Sequence, residues 1–215
     1  MIRLVDVVCT YKGKNLLNHV SVNFAAGKIH GIVGHNGSGK TMLLKCVSGY
    51  LKPNAGAVFL EEKELYHDVP FPTSMGLILE NPGFLPYATG YQNLMWLAAI
   101  KKHIGKDDVR LVLKLVGLDE VHNKLVGQYS LGMKQRLGIA QAIMEKPKLL
   151  ILDEPFNALD ADGVECIRRL IVDLRDQGVT ILMTSHYQED IAVLCDYVYH
   201  MENGSITSVV PNTTA

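Results

Sequence analysis

The chain has 215 residues, 48% apolar and 20% charged, with 21 Lys and Arg against 22 Asp and Glu. This is the composition of an ordinary globular protein, and it excludes disordered, collagen-like and low-complexity chains. A net charge of −1 argues against a protein that grips nucleic acid through its phosphates. The cysteines Cys9, Cys46, Cys166 and Cys195 form no C-x-x-C pair and no zinc spacing, and they read as reduced thiols. The apolar stretches, such as 94–100 (LMWLAAI), are too short to span a bilayer, and the start MIRLVDVV lacks the pattern of a secretory signal. The expectation is a cytoplasmic chain whose membrane partner, if it serves one, is another polypeptide.

In chain order, residues 2–8 and 16–24 are β-branched and partly alternating, as strands are. Residues 28–33 make a short apolar strand that enters a glycine-rich turn, and apolar positions 42, 43, 44 and 47 then carry helical spacing. Gly49, Pro53 and Gly56 mark a loop before strands at 57–60 and 75–79. The stretch 90–145 reads as helical, with breaks near Gly105, Gly117 and Gly127. A continuous apolar strand follows at 148–152, then a helix at 161–177, a strand at 179–184, a short helix at 187–195 and two final strands. Apolar strands alternating with helices predict a mainly parallel sheet covered on both faces. The block 84–140 interrupts that alternation and reads as a helical sub-domain inserted in a single domain of residues 1–215.

Two segments carry chemistry on their own. Gly34-His35-Asn36-Gly37-Ser38-Gly39-Lys40-Thr41 fits G-x-x-x-x-G-K-[ST] between a strand and the helix that continues with Met42. Such a loop turns backbone N–H groups toward phosphate oxygens, and the following helix adds its positive end. Lys40 is then placed for the β- and γ-phosphates and Thr41 for Mg²⁺. In Leu149-Leu150-Ile151-Leu152-Asp153-Glu154-Pro155, a buried strand ends in two carboxylates. Asp153 suits Mg²⁺, and Glu154 suits a water-polarising base. Together they make a P-loop NTPase.

The segment Tyr129-Ser130-Leu131-Gly132-Met133-Lys134-Gln135-Arg136 narrows the class. Here the chain resembles the ATP-binding cassette (ABC) family, whose LSGGQ signature Ser130 and Gly132 match. Read alone, Ser130 is a plain helix cap, Tyr11 a strand-end tyrosine and His186 a loop histidine. The resemblance implies more. Tyr11 would stack on adenine, Asn157-Ala158-Leu159-Asp160 would form the loop that crosses a dimer interface, and His186 would contact the γ-phosphate. Ser130, Gly132 and Asp160 would face ATP held by a second, head-to-tail copy. It also implies ATP and Mg²⁺ as cofactors, a transmembrane permease subunit as partner, no nucleic acid, and a place on the inner face of the cell membrane. The implied fold is a P-loop NTPase α/β core with a mainly parallel sheet, an N-terminal antiparallel β sub-domain and the inserted helices.

The chain departs from the family pattern at Glu80, where Gln is usual and which stays a candidate Mg²⁺ ligand, and at Leu131 and Met133 in the signature. These departures resemble the branch that exports peptide antibiotics such as bacitracin or gives immunity to lantibiotics. The loop aromatics Phe84 and Tyr87 fit a groove for a membrane-subunit helix, whereas Trp96, between Leu94 and Leu97, is expected in the helical core. Two rivals stay open: a non-transport ABC ATPase of DNA maintenance or the ribosome, and a non-hydrolysing ATP-binding regulator. The absence of heptads between Lys40 and Ser130 and the single cassette weigh against the first. The Asp153-Glu154 pair weighs against the second.

Overall fold

The computed structural model describes residues 1–79, 83–121 and 123–212. Strands β1 (Ile2–Tyr11), β2 (Lys14–Phe24), β4 (Ala55–Leu60) and β5 (Lys63–Glu64) form an antiparallel sheet in the order β2-β1-β4-β5. Strands β3 (Ile29–Val33), β6 (Met75–Ile78), β7 (Leu149–Leu152), β8 (Thr180–Thr184), β9 (Tyr197–Glu202) and β10 (Ser205–Pro211) form a second sheet in the order β10-β9-β3-β8-β7-β6. All its pairings are parallel except the final β9–β10 hairpin. Every residue of β7 and β8 is buried, as a strand covered on both faces requires.

Helix α1 (Lys40–Val47) lies between the sheets. Its Leu43, Leu44 and Val47 pack with Leu4, Val7 and Leu17 of the antiparallel sheet and with Ile151 and Leu182 of the parallel one. Cys9 and Cys46 meet in this layer as buried free thiols, with Sγ atoms 3.1 Å apart. A second core unites β6 with α2 (Gly90–Lys101), α3 (Lys106–Leu115), α4 (Leu131–Ile143) and α5 (Ala161–Asp176). The last helix, α6 (Gln188–Leu194), follows β8. Thr89 starts α2 through a reciprocal capping box with Gln92. Buried Asn93 bonds Leu85 N–H at 2.8 Å and also donates to the Leu85 and Thr89 carbonyls, which fixes the loop before α2.

The predicted elements are present, with the small strand β5 in addition. One expectation is overturned. Trp96 is not core: it is 51% exposed, while Leu94 on the same helix is fully buried. Trp96 instead lines a cleft of about 450 Å³ with Tyr50, Leu79, Phe84 and Leu85. Tyr87 is 71% exposed on the adjoining loop.

Candidate functional site

Residues 34–39 join β3 to α1. The first helical bond of α1 runs from Leu43 N–H to the Gly39 carbonyl at 2.9 Å, and no side chain caps the helix. The N–H groups of Lys40, Thr41 and Met42 therefore have no carbonyl partner within the helix, which is the local basis of an anion site. Gly39 has φ 108°, and a Cβ there would stand 2.9 Å from both the Leu16 carbonyl oxygen and Met201 Cε. No other residue fits that close approach. The loop is pinned from outside, since Gly204 N–H donates to the Ser38 carbonyl at 2.9 Å and Asn18 N–H donates to the Gly204 carbonyl at 2.8 Å.

Lys40 reaches across this loop. Its Nζ donates to the carbonyls of Gly34 at 2.8 Å and His35 at 3.2 Å, and the residue is 7% exposed. Those two carbonyls are neutral, and an ammonium has three donors, so one donor and a buried positive charge are left for an anion. Ser38 Oγ is likewise buried with no hydrogen-bond partner among the described residues. These features fit a phosphate chain.

The sheet order sets β3, β8 and β7 side by side, so their C-terminal ends converge. Asp153, just past β7, accepts from Thr41 Oγ1 at 2.7 Å on one oxygen and from Thr184 Oγ1 at 2.6 Å on the other. A carboxylate and a hydroxyl joined in this way are hard oxygen donors suited to Mg²⁺, which takes one or two protein ligands plus phosphate and water. Among the described residues no three His, Cys, Asp or Glu side chains gather as a closed metal cage.

Glu154 holds a left-handed backbone at φ 51°, unusual for a residue other than glycine. Thr184 Oγ1 accepts its N–H at 2.9 Å, and Gln135 Nε2 of α4 donates to the carbonyls of Glu154 and Pro155, each at 3.3 Å. Its carboxylate meets His186 twice. The His186 N–H donates to Oε2 at 3.1 Å, and His186 Nε2 lies 3.1 Å from Oε1. The second approach is an ion-pair distance off the hydrogen-bond direction, so Oε1 stays buried without a hydrogen bond. Burial pushes the Glu154 carboxyl above its usual range, His186 and Lys40 draw it back, and Asp153 raises it further. A desolvated carboxylate with a free lone pair is what a general base needs.

The structure gathers Gly34 to Met42, Asp153, Glu154 and His186 around one junction. Ser130, Gly132 and Asp160 form another group. Ser130 caps α4, accepting from Met133 N–H at 3.2 Å. Asp160 caps α5, accepting from Gly163 N–H at 3.0 Å. A Cβ on Gly132 would lie 2.5 Å from the Ala158 carbonyl oxygen, so the α4 N-terminus sits directly on the 157–160 segment. Tyr11 ends β1 as an exposed residue, with Lys12 Nζ 5.4 Å from its ring centroid. Glu80 lies outside the described residues. Two contributors went unforeseen. Thr184 is a β-branched residue at the end of ILMT, a pattern that by itself signals only a strand. Gln135 stands between Lys134 and Arg136, so nothing but its burial in the fold sets it apart.

A family model described as ABC transporter matches residues 17–157. The chain is 42% identical to the ABC transporter ATP-binding protein YybJ of Bacillus subtilis over 206 residues, 96% of this chain and 94% of that one. It is 37% identical to the bacitracin transport ATP-binding protein BcrA of Bacillus licheniformis, covering 98% of this chain and 70% of the relative. It is 32% identical to the lantibiotic transport ATP-binding protein SrtF of Streptococcus pyogenes, covering 96% and 89%. Among solved structures, a dimeric bacterial ABC transporter cassette superposes with a TM-score of 0.89 at 26% identity over 98% of each chain. The phosphate loop, the paired carboxylates and the capped signature helix thus occur together in a chain that belongs to the ABC transporter family, as an ATP-binding cassette.

Proposed function

We propose that the chain binds ATP with Mg²⁺, hydrolyses it, and powers transport through a separate membrane subunit. The observation that carries this reading is the junction at which Thr41, Asp153, Thr184, Glu154 and His186 are bonded to one another beside the phosphate loop. In the proposed roles, the loop 34–41 and the start of α1 bind the phosphates, with the spare Lys40 donor on the terminal ones. Tyr11 offers its exposed face to adenine. Thr41 and Asp153 hold Mg²⁺, which neutralises phosphate charge. Glu154 takes a proton from the attacking water, and its raised affinity for a proton suits that task at neutral pH. His186, held by the Glu154 carboxylate, stays within reach of the γ-phosphate.

Ser130, Gly132 and Asp160 would face the nucleotide of a second cassette in a head-to-tail pair. The cleft lined by Tyr50, Phe84 and Trp96 would receive a helix of the membrane subunit. Large exposed aromatics are the usual anchors of such interfaces. The bacitracin and lantibiotic relatives support peptide antibiotics or related compounds as the transported class; the cassette would work on the inner face of the membrane, beside its membrane subunit.

Replacing Glu154 with Gln tests the reading. The variant should bind ATP like wild type, release no phosphate, and accumulate as a dimer, because a ligand confined to the closed state stabilises that state. Phosphate release at the wild-type rate would remove Glu154 from the role of base.

A further inference from the structure

Three consecutive residues at the end of β8 point to three different partners. Thr184 bonds Asp153 and the Glu154 N–H, and the His186 N–H bonds the Glu154 carboxylate. Ser185, between them, turns the other way. Its Oγ accepts the Tyr187 N–H at 3.0 Å and lies 3.2 Å from Asp190 Oδ2 and 3.5 Å from the Tyr187 carbonyl. A hydroxyl has one hydrogen to give, and the nearer, charged carboxylate takes it.

Asp190 is in turn held from α5. Arg168 donates to Asp190 Oδ1 through Nη2 at 2.6 Å and Nε at 3.0 Å, leaving Oδ2 for Ser185. The Asp190 side chain is 3% exposed and that of Arg168 20%, so the pair works at low dielectric. Fastening α5 to α6 needs the ion pair alone. Ser185 extends it to the turn that carries His186, and α5 itself begins at Asp160.

We propose that Ser185 and Asp190, backed by Arg168, are positioning residues that hold His186 against Glu154 and tie that contact to the placement of α5. The inference rests on the hydrolytic function proposed above. Among the described residues, no hydrogen bond or ion pair joins any of the three to the phosphate loop, so ATP binding should not depend on them. Misplacing a reacting group by about 1 Å can slow chemistry by roughly 100-fold.

The test compares Ser185→Ala, Ser185→Thr and Asp190→Asn in steady-state ATP hydrolysis by the full chain, with thermal melting in parallel. Ser185→Ala leaves the Arg168–Asp190 pair whole and should keep the melting temperature and the KM for ATP. Its kcat should fall about 10- to 100-fold. Ser185→Thr keeps the hydroxyl and should restore kcat. Asp190→Asn should lower both kcat and stability. Wild-type kcat in Ser185→Ala, alongside a destabilised Asp190→Asn, would reduce the network to a fastening between helices and overturn the inference alone. No hydrolysis by the wild-type chain would overturn the function and the inference with it.

Discussion

At position 154 three demands meet in one residue. The backbone turns left-handed ahead of a proline, the carboxylate is buried, and in the role proposed above it must be ionised to act. Burial raises the proton affinity of this carboxyl in the fold above its ordinary value of 4.5. A raised carboxyl favours folding while protonated, below its unfolded value, and loses that benefit as pH rises through its folded value. Glu154→Gln should therefore raise stability at neutral pH, read as a higher Tm. The gain should shrink to nothing as pH falls below the ordinary value, where wild type carries the proton in both states. Equal melting curves at every pH would show that desolvation at this site is negligible. The place of Asp153 and Glu154 at the end of β7 was legible because strand, charge and proline are adjacent in sequence. Thr184 was not, because its hydroxyl acts across the sheet and no local pattern reports a neighbour 31 residues away.

Helix α2 marks the limit of periodicity. Its run LMWLAAI is apolar on every side, so spacing alone cannot tell the face that meets the core from the face that lines a cleft. Leu94 takes the first role and Trp96 the second. Leu94→Ala should cost about 2–5 kcal/mol and Trp96→Ala about 1 kcal/mol or less. Chemical denaturation of the two variants checks the difference, and equal losses would return Trp96 to the core. The other helices were legible to within a few residues because they carry one apolar face or a cap. Ile167, Leu170 and Ile171 give α5 its buried stripe, and Asp160 marks its start.

For the whole molecule, the two groups of site residues lie on different elements, one around the phosphate loop and one at the starts of α4 and α5. In a two-fold pair each group would complete the other copy's site, so defects in different groups should complement one another. Lys40→Ala and Ser130→Arg should each be inactive as homodimers, whereas their mixture should regain hydrolysis from the one site with both groups intact. A mixture as inactive as its parents would argue against head-to-tail sharing. The parallel order of strands was legible from alternation, whereas the neighbours of each strand are set by long-range pairing. The strained, desolvated turn at Glu154 also bears on how this protein can be improved. A fold stable by only about 5–15 kcal/mol gains noticeably from relief at a single residue. With Glu154 as the proposed base, a library screened for heat tolerance alone would enrich Gln or Gly at position 154 and return hardy cassettes that no longer turn over, so any such selection has to score catalysis in the same round.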